Sequence, residues 1–273
     1  MAQIIHSVQD LTYLSWTKTR GSSGTAGTFL KSQEDTDRGR LFYKLSDYDP
    51  FHGVIGHESI NEIIADRLLN ILDIPHLSYQ LIHADILVDQ KPVRTWLCVS
   101  HDFRQRGERK AALDEYYESH RLPGELPLDF CVRNGWAEAV YQMLVLDYLI
   151  LNRDRHGANI EVIVNPYRKT VRLAPLFDHG VSLFCRCHTI EELEKEDAMA
   201  DKPVQCFVGS RSTRENLNLI PAGQQPRIRS LKESDRAELL DGLEDTLDWR
   251  FLDRIWDMIW RRWQVYENLR NQG

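Results

Sequence analysis

The chain lacks several features that would settle its class at once. No stretch approaches the ~20 consecutive apolar residues of a membrane span. The N-terminus, MAQIIHSVQD, has no basic region followed by a long apolar one, which argues against a secretory leader. Cysteine is scarce: five residues, an odd number and scattered, a pattern that fits a reducing cytoplasm better than a disulfide scaffold. Cys185-x-Cys187-His188 has the wrong spacing for a zinc knuckle and no second pair to complete one. Basic charge is also in deficit: 34 Lys and Arg against 41 Asp and Glu give a net charge of −7. That balance gives no electrostatic case for direct nucleic-acid binding or for an anionic membrane surface. The cluster Arg104–Lys110 alternates with acids and reads as a solvated loop. There are no repeats, no low-complexity tracts and no Walker A sequence.

What the chain does have is a normal globular hydrophobic share, 42% of 273 residues, enough for one large or two small domains with a substantial core. Its most informative stretch is Leu149–Phe184. Asp154 is followed five residues later by Asn159, then by an apolar run Ile160–Val164, a turn at 165–169, a second run Thr170–Leu173, and Asp178-His179-Gly180. This predicts loop, β-hairpin, loop. A hairpin returns the chain to where it started, so Asp154, Asn159 and Asp178 converge at one end of it. Two carboxylates and an amide oxygen form a hard-oxygen set suited to Mg²⁺, an ion usually held by one or two carboxylates plus substrate phosphates. Ahead of them, Gly135–Leu151 predicts a helix apolar on most faces, with Asn134 as its cap, that would mount the loop rigidly.

Upstream, Leu11–Lys18 predicts a strand, residues 20–28 form a loop rich in glycine and hydroxyls, and Phe29-Leu30-Lys31 begins a second strand. Glycine lets a backbone approach a phosphate closely, and free N–H groups donate to it. Ser22, Ser23, Gly24 and Thr25 are the candidate phosphate-facing residues. Arg40–Ser46 predicts the next strand, with Lys44 its one interior lysine. Ile60, Ile63, Ile64, Leu68, Ile71 and Leu72 fall at helical spacing before Pro75. Ser59-x-x-Glu62 reads equally well as a capping box. Strands are expected over Leu77–Leu87 and Pro92–Ser100, a short helix near Ala111–Ser119, and helix from Ser230 to the end.

Taken together, D-R-H-G-A-N at 154–159 and L-F-D-H-G at 176–180 resemble the catalytic and metal-binding loops of the protein-kinase-like superfamily. The form is similar to that of the HipA-like serine/threonine kinases and, more distantly, of the phosphatidylinositol 3- and 4-kinases, which share D-R-H-x-x-N. Nothing after Phe184 resembles the A-P-E end of a protein-kinase activation segment. The resemblance implies an α+β, two-lobed protein-kinase-like fold: a small β-rich lobe over residues 1–103 and a larger helical lobe over 104–273. It implies ATP and Mg²⁺ as cofactors and a serine or threonine hydroxyl, on a protein or on the chain itself, as acceptor. Asp154 is then the catalytic base, with His156 an electrostatic helper, and Asn159 and Asp178 the metal ligands. Lys44 contacts the nucleotide phosphates and pairs with Glu62, or with Glu58 one turn earlier. Val99 and Ser100 are placed at the lobe connection that reads the adenine edge, and Ser22 or Ser23 is the analogue of an autophosphorylated serine. The chain is short for the HipA family, which implies the compact form or a partner, an antitoxin or complementary small subunit, that supplies a missing part. The competing readings are a lipid or small-molecule kinase and a nucleotide-binding regulator without catalysis.

Overall fold

The computed structural model describes residues 3–19, 26–37 and 39–272. Residues Gln3–Asp10 (β1), Thr17–Thr19 (β2), Ala26–Thr36 (β3) and Gly39–Leu45 (β4) open the chain. A small ribbon, Tyr48–Asp49 (β5) and Gly53–Val54 (β6), leads to helix Glu58–Leu72 (α1). Tyr79–Val88 (β7) and Lys91–His101 (β8) then complete a six-stranded sheet in the order β1-β7-β8-β4-β3-β2. Both faces are covered. Leu81 and Cys98 pack toward α1, while Tyr43, Leu45, Leu97 and Val99 pack under Leu11 and Leu14. A strand buried on both sides reads as a continuous apolar run, as Leu97–Val99 does.

Two expectations for this region are corrected. The aromatic stretch from Leu11 is not a strand as a whole: only Thr17–Thr19 enters the sheet, and Leu11 and Leu14 instead close over the second apolar cluster. The strand before it, β1, was not anticipated; it is an edge strand, parallel to β7, with most of its side chains outside the core. The capping box is also absent. The residue capping α1 is His57, with no side-chain cap bond, and the Ser59 N–H donates to Ser46 Oγ at 2.9 Å.

The rest of the chain is mainly helical. Arg109–Ala112 (β9) runs straight into Leu113–His120 (α2), followed by Pro127–Arg133 (α3) and Ala137–Ile150 (α4). Asn134 does not cap α4. It closes α3, its side-chain amide donating to Phe130 O at 2.8 Å, and α4 begins after Trp136. Helix α4 is buried from Val140 to Ile150 and ends at Leu151 in the left-handed region. Asp154–Arg155 (β10) is followed by the expected hairpin, Glu161–Asn165 (β11) and Thr170–Leu173 (β12), which β9 extends to three strands in the order β12-β11-β9.

Ile190–Lys195 (α5), Gln205–Cys206 (β13), Thr213–Asn216 (α6), Asp235–Leu240 (α7) and Trp249–Gln272 (α8) complete the molecule. The C-terminal helix is therefore not continuous from Ser230. It breaks at Gly242, which holds a φ of +68° that a side-chain-bearing residue resists. Trp256 and Trp263 pack in the core, whereas Trp249 is exposed. The cysteines at 98, 131, 185, 187 and 206 are all free thiols. No helix among the described residues is long and apolar enough to cross a membrane.

Candidate active site

A cleft of about 1100 Å³ opens between the six-stranded sheet and the helical part. Lys44, Ser100 and Phe103 line it from the sheet side, and Asn159, Phe177 and Asp178 from the other. Lys44 lies near the end of β4, where strand alternation turns its side chain out of the Tyr43–Leu45 core and into the cleft. Its Nζ donates to Glu62 Oε1 at 3.0 Å and to Asp178 Oδ1 at 2.7 Å. The ammonium thus joins three distant segments: β4, α1 and the loop after β12. Burial alone would lower the Lys44 pKa, but the carboxylates of Asp178 and Glu62 outweigh it and hold the amine well above its ordinary value. Burial likewise pushes Glu62 up. The Lys44 ammonium and, after it, the His179 imidazole bring it down to about 2, and the His179 backbone N–H also donates to Glu62 Oε2 at 2.9 Å. Glu58 is not the partner of Lys44: its Oε2 accepts the Asp47 N–H at 2.9 Å.

Asp178 stands in the left-handed region, φ +60°, and its N–H donates to Tyr79 Oη at 3.2 Å. Gly180 two residues on packs closely on α1: a Cβ there would lie 3.1 Å from Glu58 Cβ, so the helix would have to give by a few tenths of an ångström. The loop is also tied to α1 by Asn61, whose Nδ2 donates to Gly180 O and Ser182 O, each at 3.1 Å.

Asp154 is not among the residues that line the cleft, and it is joined to them through Asn159. The Asn159 amide nitrogen donates to Asp154 O at 2.7 Å and approaches Asp154 Oδ2 at 3.3 Å. An amide fixed by its nitrogen presents oxygen as its other polar atom, the atom type Mg²⁺ takes. His156 Nε2 is 3.6 Å from Asp154 Oδ1, and its Nδ1 accepts the Ala158 N–H at 3.2 Å, capping the short turn 157–159. Gly157 lets that turn press on α2, because a Cβ there would meet Asp114 Cβ at 2.4 Å. Among the described residues, no three of His, Cys, Asp or Glu are grouped to hold a metal by themselves. One carboxylate, one amide oxygen and substrate phosphates are the combination that Mg²⁺ sites of this kind use, and the residues fit it.

The remaining expected residues divide. Ser100 lines the cleft with its side chain, while Val99 turns into the second apolar cluster. The main chain of both is committed to ladders on either side, with Phe42 and Tyr43 of β4 and with Tyr79 and Gln80 of β7. The sheet ends only at His101, so Asp102 and Phe103, both at the cleft, are where the backbone leaves it. Ser22, Ser23, Gly24 and Thr25 lie outside the described residues.

The residues that the sequence reading missed are those that hold the site. Arg155, 1% exposed, makes a forked pair with Asp147 of α4, Nε and Nη2 each 2.9 Å from a carboxylate oxygen. Its Nη1 donates to Asn159 O at 3.2 Å and to Phe177 O at 2.9 Å. Asn152 donates to the same Asp147 carboxylate at 2.9 Å. One guanidinium therefore clamps the Asp154–Asn159 loop and the Asp178 loop to the buried helix beneath them. The available signal was Asp147, a lone carboxylate in the otherwise apolar run M-L-V-L-D-Y-L-I-L, which burial obliges to find a cation.

No family model and no curated protein sequence matches the chain. Among solved structures, it is similar to the Helicobacter pylori proinflammatory kinase CtkA at TM-score 0.61 and 14% identity, over 97% of this chain and 99% of that one. A looser match, TM-score 0.42 and 15% identity over 90% of this chain and 57% of the other, is HipA in the Shewanella oneidensis MR-1 toxin–antitoxin complex of HipA, HipB and operator DNA. The mixed α+β architecture, a sheet-based N-terminal part and a helical C-terminal part, is thus that of the CtkA kinase structure.

Proposed function

We propose that the chain is an ATP- and Mg²⁺-dependent kinase of the HipA-like type, which transfers a phosphoryl group to a serine or threonine hydroxyl of a protein substrate, its own chain included. In this reading residues 1–103 act as the smaller lobe and 104–273 as the larger, with the nucleotide in the cleft between them. The observation that carries it is the placement of Lys44 between Glu62 and Asp178, at 3.0 and 2.7 Å, with Asn159 joining Asp154 on the same side. A lysine–glutamate pair, a metal-type aspartate and a loop aspartate–asparagine pair are the parts that phosphoryl transfer requires, and four separate segments bring them together here.

Each residue has a derived task. Lys44, held cationic, contacts the nucleotide phosphates, and Glu62 keeps it from swinging away. Asn159 and Asp178 would hold Mg²⁺, which when bound neutralises charge on the phosphates. Asp154 accepts the proton of the attacking hydroxyl, and Asn159 fixes its orientation. His156, beside Asp154, tunes the charge at that position. A protein acceptor, an antitoxin-like or small-subunit partner and a cytoplasmic setting belong to the same proposal.

Intact-mass spectrometry of the purified chain before and after Mg²⁺ and ATP, beside Asp154→Ala and Asp178→Ala, tests it. Added phosphate in wild type alone supports the reading and allows the acceptor to be mapped. If wild type gains no mass and binds no nucleotide by thermal shift, the kinase reading fails. If it binds nucleotide but modifies neither itself nor any protein in an extract, the non-catalytic regulator takes its place.

A further inference from the structure

A second cavity lies on the opposite side of α1 from the Lys44 pair, and it has the chemistry of a ligand site. Its volume is about 290 Å³, near the lower end of the range of small-molecule pockets. Its walls come from four parts of the fold: the segment from Ser46 into the start of α1, strands β7 and β8, the segment after the Asp178 loop, and the C-terminal region ending in α8. Val54, Ile60, Trp96, Leu247 and Phe251 make it apolar. His57, the residue capping α1, is only 6% exposed and lines it. Its Nε2 is buried and has no hydrogen-bond partner among the described residues. The ring is kept in place by Phe251, edge-on with centroids 5.3 Å apart.

The other ionisable groups of the wall are His83, His188, Arg94 and Cys187; among the described residues no carboxylate lines it. His188 is anchored by its Nδ1 to Ile55 O at 2.8 Å, and Arg94 is paired with Asp85 outside the cavity. Glu58, the neighbour of His57, is turned away to the Asp47 N–H. The positive end of the α1 dipole meets the same wall. A buried imidazole with an unspent nitrogen and a helix N-terminus beside an apolar hollow select a negative group on an apolar body.

We infer that this cavity binds a small organic carboxylate, its apolar body between Trp96 and Phe251 and its carboxylate accepting from His57 Nε2–H, and that occupancy holds α1 in the position that keeps Glu62 on Lys44. The regulatory half rests on the kinase reading; the binding half does not. His57 and Ile60 in the cavity wall and Glu62 at the cleft share the first turns of one helix, so a ligand bridging α1 to Phe251 restrains Glu62 as well.

The test uses the full chain titrated by calorimetry with phenylacetate, with neutral phenylacetamide and with inorganic phosphate. Phenylacetate is expected to bind, with phenylacetamide and phosphate each at least about tenfold weaker, as a charge-assisted hydrogen bond and apolar burial both contribute. His57→Phe, which keeps an aromatic ring and removes the donor, weakens binding by about tenfold or more, His57→Gln retains most of it, and Thr246→Phe, which fills the hollow, abolishes it. No phenylacetate binding at millimolar concentration, or binding indifferent to His57→Phe and Thr246→Phe, overturns the site. With phenylacetate bound, ATP affinity at the cleft should rise at least about threefold in wild type and not in Thr246→Phe. Equal ATP affinity with and without phenylacetate overturns the coupling. Absence of ATP binding under every condition overturns the kinase reading instead, and leaves the carboxylate result to be judged by itself.

Discussion

The six residues from Asp154 to Asn159 serve two networks that look alike on paper and differ in kind. Toward the cleft, Lys44, Glu62 and Asp178 form a cation–carboxylate cluster in which Lys44 and Asp178 remain 20% and 17% exposed. Beneath it, Arg155 and Asp147 form a cluster of the same charges at the same distances, 1% and 6% exposed. The upper network is assembled from segments far apart in sequence and keeps one side open to solvent. The lower one spends every Arg155 nitrogen on the protein itself. The two networks meet within a single motif: Asn159, only 2% exposed, lines the cleft, while Arg155 turns its nitrogens to Asp147 and to the backbone of both loops.

The sharpest way to break this comparison is to remove one member from each side and measure both activity and stability. Asp154→Ala should slow phosphoryl transfer by roughly 10²–10⁴-fold, the usual contribution of a positioned base, and shift stability by no more than about 0.5 kcal/mol because the side chain is partly exposed. Arg155→Met should do the converse. It strands Asp147 in the core, which costs about 3–5 kcal/mol, read as a lower denaturant midpoint at constant slope. Arg155→Lys should not rescue it, since one ammonium cannot fork onto Asp147 while also reaching Asn159 O and Phe177 O. If Arg155→Met keeps its stability and loses only activity, the division between frame and chemistry is wrong.

The same division explains what could be read in the sequence. The hairpin 161–173, helix α1, Lys44 on its strand and the approach of Asn159 and Asp178 to one cleft were legible because each is signalled by local periodicity or by a residue type unusual in its setting. The strand β1 was not, because an edge strand with exposed side chains has no alternation to show. The stretch from Leu11 read as a strand because aromatic residues that close over a sheet look like residues that belong to one. Asn134 read as the cap of the following helix when it terminates the preceding one, a distinction that depends on whether Pro127–Arg133 is helical and hence on packing. Arg155 and Asn61 donate to backbone carbonyls of remote loops and Tyr79 accepts a backbone N–H from one, and backbone groups carry no sequence label.

The middle-sized prediction concerns acid. Glu62 is held at about 2 in the folded chain against an ordinary 4.5, so its contribution is fully present above pH 4.5 and is lost as pH falls toward 2. Wild type should therefore lose on the order of 3 kcal/mol more than Glu62→Gln over that interval, as urea midpoints at several pH values would show. His57 acts higher. Burial pushes it to about 4 from an ordinary 6.5, so the folded chain resists its protonation and stability falls as pH drops from 6.5 through 4. His57→Phe should flatten the wild-type slope there without touching the Glu62 interval. A single acid transition, removed as a whole by either substitution, would mean that His57 and Glu62 do not titrate independently.

The smallest effect should come from Asn61, the one polar tie that α1 sends to the Asp178 loop in place of charge. Asn61→Ala removes two hydrogen bonds and leaves Gly180 O and Ser182 O facing the helix, a cost of about 1–3 kcal/mol. That is less than for Arg155, because two neutral carbonyls rather than a buried carboxylate lose their partner. The consequence should nevertheless appear in the cleft, since those carbonyls belong to the loop that fixes Asp178 at a left-handed φ of +60°. Nucleotide affinity measured with Mg²⁺ should fall in Asn61→Ala, while affinity measured in its absence changes less, because the loop bears on Asp178, the proposed metal ligand, rather than on the base. Equal losses with and without Mg²⁺ would place Asn61 in the frame alone, and would move the boundary between the two networks from Arg155 up to α1.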